Sequence, residues 1–358
     1  MAAGQPSNDR EQKAESPAAQ VSAGAQGHQS GASGGGAHGA FTWGVLDYLL
    51  EDDRFEIDGI SGTSAGAMNA VALACGLHEG GAEGARERLR TFWKKVSQHA
   101  YLSPIRRSPL DMALGQWSLD FSPSYIAMDL ISRFASPYEF NPLNINPLHE
   151  VLKEIIDFDS VRACGRVRVF VSATNVHTGK IKVFSGDELT ADAVMASACL
   201  PQVFQAVEID GVPYWDGGYM GNPPLYPLFY ETGTQDLLLV QINPIERKET
   251  PKTAREIQNR MNEITFNSTL LREMRSIEFV LRLLNEGKLN EEDYKKVNFH
   301  RIDGEALKPL QASSKSNAEW AFIEELFSIG RKTAADWVER NYDAVGERST
   351  VDLRSEFQ

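Results

Sequence analysis

With only three cysteines in 358 residues, Cys75, Cys164 and Cys199, the chain has no material for a disulfide framework, and none of the three stands at a zinc-binding spacing. All three lie in apolar surroundings and read as reduced, buried thiols. Long apolar runs are missing too: the longest, near Ala67 to Leu77, is far too short to span a bilayer. Positive charge is scarce, with 36 Lys and Arg against 49 Asp and Glu and a net charge of −13. That balance opposes nucleic-acid binding and electrostatic attraction to anionic membranes, so no nucleic-acid partner is expected and a lipid has to be reached through apolar contact. No internal repeat, Walker loop or metal spacing is present, and neither a cofactor nor a metal is expected. Residues 1–33 are rich in Ala, Gly, Ser and Gln and lack the apolar core of a secretory signal; they are expected to be a disordered lead on a cytoplasmic protein, peripheral to a membrane at most.

What is present is 42% hydrophobic content, enough for a substantial core. The most informative segment is Gly62-Thr63-Ser64-Ala65-Gly66. Before it, Phe55 to Ile60 alternates apolar and acidic residues as a half-buried strand does. After it, Ala67 to Cys75 is free of proline and glycine and rich in helix formers. A serine in a tight turn between strand and helix is held clear of the backbone, and the turn closes only if the residues two before and two after are nearly bare, as Gly62 and Gly66 are. Ser64 then sits at a helix N-terminus, where unpaired amides favour developing negative charge.

Gly34-Gly35-Gly36-Ala37-His38-Gly39 precedes that turn by about thirty residues and opens a helix over Ala40 to Leu50, with Phe41, Val45, Leu46 and Leu49 on one face. Bare amides in such a loop can be aimed at an oxyanion. The same hexapeptide fits the dinucleotide fingerprint, with Asp58 at the distance of a ribose-binding acid; against that reading, Gln26 to Ser33 has no strand character. Further on, Asp210-Gly211 separates two alternating runs, a hairpin signal that puts Asp216 at a strand end before Gly217 and Gly218.

Taken together, the glycine-rich loop, the serine turn and the later Asp216-Gly217-Gly218 resemble the patatin-like phospholipase family. The likeness runs from about Gly34 to Leu228 and includes Ser172-Ala173-Thr174-Asn175, Ala196-Ser197-Ala198-Cys199-Leu200-Pro201 and Tyr214 to Tyr219. It implies a three-layer α/β fold with a mostly parallel central sheet flanked by helices. It also implies Ser64 as nucleophile, Asp216 as its general base and acid, Gly34, Gly35 and Gly36 as the oxyanion hole, and Gly39, Gly62, Gly66, Gly217 and Gly218 as turn and motif glycines. The activity implied is a serine-dependent acyl-lipid hydrolase of the phospholipase A or lysophospholipase type, acting at a membrane surface. Two departures stand out: His38 occupies a position where many relatives have Arg or Lys, and Val21 to Ser33 supplies no apolar strand ahead of the glycines.

Alternatives within the same chemistry are a thioesterase or a transacylase; from another class, a nucleotide-binding or catalytically idle scaffold. A histidine-assisted triad is disfavoured, since His177 falls at an expected hairpin tip between Val167–Val171 and Lys180–Phe184, and His300 near a charged segment, both read as surface positions. The chain divides into the lead, a catalytic domain over 34–245 and a helical extension over 246–358 packed on the same domain. Within the catalytic domain, 93–152 forms a helical insertion with aromatic residues and six prolines, expected either to pack on the core or to act as a lid or acyl groove. Asp236 to Ile242 reads as a fully buried strand, Ala254 to Leu284 as a helix whose Ile257, Met261, Ile264, Leu271, Met274 and Leu281 face the core or a homodimer seam, and Glu319 to Val338 as a closing helix.

Overall fold

In the computed structural model, which describes residues 19–25, 36–101 and 103–357, all six residues of Asp236-Leu237-Leu238-Leu239-Val240-Gln241 are buried. A strand achieves that only where helices cover both faces of its sheet. Leu237 and Leu239 join one apolar cluster, Leu238 and Val240 the other.

In chain order the described elements are β1 (Ala19–Ala25), α1 (Gly39–Glu51), β2 (Phe55–Gly62), α2 (Ala65–Ala100), α3 (Pro109–Ala113), α4 (Pro123–Phe134), α5 (Pro137–Phe140), α6 (Pro147–Ile155), α7 (Phe158–Ala163), β3 (Arg168–Asn175), β4 (Ile181–Phe184), α8 (Ala191–Ser197), β5 (Val207–Ile209), β6 (Val212–Asp216), α9 (Tyr226–Glu231), β7 (Asp236–Gln241), α10 (Ala254–Asn285), β8 (Asn298–Asp303) and α11 (Trp320–Asn341). The strands form one sheet in the order β5-β6-β3-β2-β1-β7-β8, with β4 also paired to β3. The run β3-β2-β1-β7-β8 is parallel throughout; β4, β5 and β6 add antiparallel pairs. One cluster gathers α1, α2 and α11, the other α9 and α10, giving three layers. On the first face α1 and α11 cross with backbones in contact: a Cβ on Gly44 would lie 2.1 Å from the Phe327 carbonyl oxygen, and one on Gly330 2.1 Å from that of Phe41.

Four sequence readings need correction. The lead is not structureless up to residue 33: Ala19–Ala25 is β1, paired with β2 on one side and β7 on the other. Its residues are small and polar where an apolar run was sought, yet Val21, Ser22 and Ala23 are buried, and the Ser22 hydroxyl donates to Asp58 at 2.7 Å. A central strand pressed between close neighbours needs little side-chain volume. Second, the C-terminal region is not purely helical, because β8 joins the same sheet parallel to β7. Third, the apolar stripe of α10 is core only in its second half. Of its residues Met274 is buried and Leu271 and Leu281 are half-buried, beside the buried Leu270 and Ile277, whereas Ile257, Met261 and Ile264 are exposed. Fourth, His300 is fully buried on β8, with Nε2 2.9 Å from Asp236 Oδ1 and Nδ1 3.1 Å from Thr350 Oγ1. His300 shares a strand face with Ile302, and Trp337 of α11 covers that face. His177 is exposed beyond the end of β3 as expected, and Cys164 is only half-buried.

Candidate active site

At the C-terminal end of β2 the chain turns into α2 through Thr63 and Ser64, and Ser64 has φ 54° and ψ −121°. A β-carbon pays steric strain in that left-handed region, so the position holds a non-glycine residue only where its surroundings force it. Gly62 makes the turn geometrically feasible: a Cβ there would meet the Gly66 carbonyl carbon and oxygen at 2.4 Å. Gly62→Ala should therefore lower thermal stability by about 1–3 kcal/mol through overpacking, visible as a fall in melting temperature. Ser61 and Thr63 pin the turn from below, Ser61 Oγ donating to Pro224 O at 2.6 Å and Thr63 Oγ1 to Gly221 O at 2.7 Å. The Ser64 amide donates to Ser197 Oγ at the end of α8, at 2.9 Å.

Asp216 closes β6 and is held by its own backbone: its amide donates to Cys199 O at 2.8 Å and its carbonyl accepts from Thr174 Oγ1 at 2.7 Å. Asp216 Oδ1 accepts the Gly218 amide at 2.6 Å. Side chains would not fit at the next two positions, since a Cβ on Gly217 would lie 2.1 Å from Ser172 O and one on Gly218 2.7 Å from the Phe266 ring. The carboxyl is almost wholly buried, and burial raises its pKa well above the usual carboxylate range, against the pull of the Gly218 amide and the Ser64 hydroxyl. The hydroxyl is thus near enough to favour the carboxylate. Neither Ser64 Oγ nor Asp216 Oδ2 has a hydrogen-bond partner of good geometry among the described residues.

Of the glycine-rich loop, Gly34 and Gly35 lie outside the described residues; Gly36 is within them, its carbonyl accepting the Gly39 amide at 2.9 Å. Gly39 opens α1 directly against the serine turn: a Cβ on it would lie 2.5 Å from that of Ala65. Asn69, one turn into α2, donates to Gly39 O at 3.0 Å and accepts Trp93 Nε1 at 2.9 Å. The first turns of α1 and α2 therefore abut beside Ser64, and two helix N-termini bias the same spot toward negative charge. Gly66 lies in the first turn of α2, with its amide on Thr63 O at 2.9 Å.

His38 is buried, with Nε2 2.9 Å from Ser314 Oγ, and burial followed by the charge of Lys315 pushes its pKa down to about 3. It is neutral at working pH and carries no fixed charge. Sequence reasoning missed Lys315. Its carbonyl accepts the Ala37 amide at 2.7 Å, and its side chain is buried with no ion pair among the described residues. The nearby Glu263 is already taken by Arg247 and Arg260. Burial brings the Lys315 pKa down to about 7, Glu263 opposing and Arg247 reinforcing the shift. A folded pKa below the unfolded value of about 10.4 means stability that is full above that value and lost as pH falls through about 7. Lys315→Met should accordingly raise the melting temperature by about 5 °C at pH 6 and by much less near pH 10.

Asp58, the ribose-binding candidate, is committed inside the fold: besides Ser22 it accepts the amides of Gly233 and Thr234 at 3.0 and 3.1 Å. No group of three or more His, Cys, Asp or Glu side chains converges as a metal site among the described residues. A cleft of about 1120 Å³ is lined by Val96, Met112, Met128, Ile131, Val203 and Trp320 among others. Ser64 and Asp216 are not in its walls. The segment from Cys199 to Phe204 links the two, holding the Asp216 amide at one end and contributing Val203 and Phe204 to the cleft at the other.

Over residues 32–229, more than half of its length, the sequence matches the model of the family described as Patatin-like phospholipase. The chain belongs to the patatin-like phospholipase family, and that membership supports lipid hydrolase activity. Among solved structures it is similar to VipD from Legionella pneumophila, at 14% identity and a TM-score of 0.40 over 92% of this chain and 67% of that one. It is also similar to ExoU, crystallised with SpcU of the type III secretion system of Pseudomonas aeruginosa, at 13% identity and a TM-score of 0.27 over 89% of this chain and 53% of that one. The chain thus spans about two thirds of the first and half of the second. No curated protein matches it. No helix among the described residues is long and apolar enough to cross a membrane.

Proposed function

We propose that the chain is a serine-dependent acyl-lipid hydrolase in which Ser64 is the nucleophile and Asp216 the sole general base and acid. The observation that carries this reading is the strained Ser64, its hydroxyl unpartnered and near enough to the buried, half-satisfied Asp216 carboxyl to act on its titration. Asp216 takes the hydroxyl proton as Ser64 Oγ attacks the ester carbonyl, then returns it to the leaving alcohol; a water activated the same way releases the acyl group. An ordinary aspartate is a weak base for a serine hydroxyl, and burial strengthens Asp216 in that role. The amides of Gly34, Gly35 and Gly36 serve as the oxyanion hole, and the cleft accepts the fatty chain.

Phospholipid is the substrate class this arrangement fits best, and a thioester or a second acyl acceptor would use the same pair. A fluorophosphonate probe should label the wild type at Ser64 and leave Ser64→Ala unlabelled. Labelling elsewhere, or none in a protein that hydrolyses phospholipid, would refute the assignment.

A further inference from the structure

The insertion is built inside out. Of the twelve residues of α4 only Tyr125 is buried. Ile126, Leu130, Ile131 and Phe134 recur at helical spacing on its outward side, with Phe134 84% and Leu130 56% exposed, and Leu143 beyond α5 is 80% exposed. Leu110, Leu114 and Phe121 of the same insertion are exposed as well, and Ile131 and Ile145 also line the cleft. Soluble monomers rarely expose so many large apolar side chains within one segment without a partner for them.

Charge identifies the partner. Between residues 101 and 146 the chain carries three Arg against four acidic residues, net −1 out of −13 for the whole. Those charges are engaged locally: Arg107 with Glu319, Arg133 with Asp129, Asp120 with Arg255, and Glu139 on the Ser136 amide, while Asp111 is buried on Ser108 and Arg106 stacks over Tyr101. The segment is therefore nearly neutral on a strongly acidic protein. A second copy would bring a further −13, and the charge repulsion opposes pairing. Residues 1–18 and 26–35 contain no Val, Ile, Leu, Phe, Tyr or Trp and so offer none of these large apolar side chains to match it.

We propose that this face docks the protein on a zwitterionic phospholipid bilayer, with α4 lying in the plane of the interface and the cleft mouth turned toward the lipid. The inference rests on the acyl-lipid hydrolase reading and specifies the physical state of its substrate, lipid in a surface. Phe134, Leu130 and Leu143 enter the headgroup boundary, and the acidic remainder stays in water.

The test uses the full chain carrying Ser64→Ala, so that binding is read without turnover, in flotation with phosphatidylcholine vesicles. Adding Leu130→Ser, Phe134→Ser and Leu143→Ser should weaken binding on the order of a hundredfold. In the active background the same three changes should cut hydrolysis of vesicle lipid in parallel while leaving the rate on a water-soluble short-chain ester within about twofold, since surface substitutions off the site leave the fold intact. Vesicles with added anionic lipid should bind more weakly, and salt should restore part of the loss. The proposal is overturned by an inactive protein that ignores phosphatidylcholine, by unchanged binding of the triple variant, by preference for anionic vesicles, or by a lipid-free dimer that the triple variant disperses. An active-background protein that binds vesicles but cleaves no ester would refute the hydrolase reading instead.

Discussion

Ser64→Ala is expected to lower kcat for ester hydrolysis by about 10⁴- to 10⁶-fold, the range lost when a nucleophile that works with its base as a unit is removed. The fold should survive, because Ala keeps the small volume and the Ser64 side chain makes no hydrogen bond of good geometry to lose. The backbone adds a second readout. At φ 54° a Cβ is strained whether it carries a hydroxyl or not, so Ser64→Gly should be more stable than Ser64→Ala by about 1–2 kcal/mol, although both are inactive. Stopped assays with a short-chain nitrophenyl ester and thermal melts of the three proteins measure both quantities. A Ser64→Ala protein retaining a few per cent of the wild-type rate would remove the serine from the mechanism.

Asp216→Asn should reduce turnover by about 10³- to 10⁴-fold, the loss expected when the proposed base is removed. The same change should stabilise the protein at neutral pH. Burial holds the folded-state pKa of Asp216 well above its unfolded value of about 3.9. Stability from this group is complete below the unfolded pKa and is lost as pH rises through the folded one, because the unfolded chain ionises more readily. Asn removes that penalty, and a rise in melting temperature of about 2–4 °C above neutrality, shrinking toward pH 4, is expected. The pH profile of kcat/KM should carry an acid limb above the ordinary carboxylate range, since only ionised Asp216 can accept the proton. By contrast His38→Ala, His177→Ala and His300→Ala should each retain a measurable rate. His38 is neutral and occupied by Ser314, His177 is exposed, and His300 is bound to Asp236 on the far strand of the sheet. Loss of all activity in one of them, with the fold intact, would bring histidine back into the reaction.

The serine turn and the hairpin before Asp216 were legible because local sterics write them directly. Gly62 is needed where a Cβ meets the next turn of helix, and Asp210-Gly211 provides two residues that tolerate φ of 52° and 75°. α1 was legible from helical periodicity and β7 from its unbroken apolar run. β1 was not, since its small residues carry no hydrophobic signal, and what makes it a strand is the pair of partners on either side. α2 runs on past the predicted helix to Ala100, through a break at Gly80 and Gly81 that the sequence pattern did not announce. Lys315 stands in Ser313-Ser314-Lys315-Ser316, a run that reads as surface; only the fold brings it from the C-terminal region to the glycine loop. In the same way nothing in the sequence distinguishes the buried half of the α10 stripe from the exposed half.

The segment that bears the family's marks, residues 32–229, is not a self-sufficient piece of this molecule. Excising it would strip β2 of its neighbour, leave α1 without the helix whose glycine nests against Gly44, and take away the lysine backbone that anchors Ala37. The family segment is thus clasped by elements that precede and follow it in the chain. Truncated expression intended to isolate the chemistry would discard the scaffold on which that chemistry is mounted.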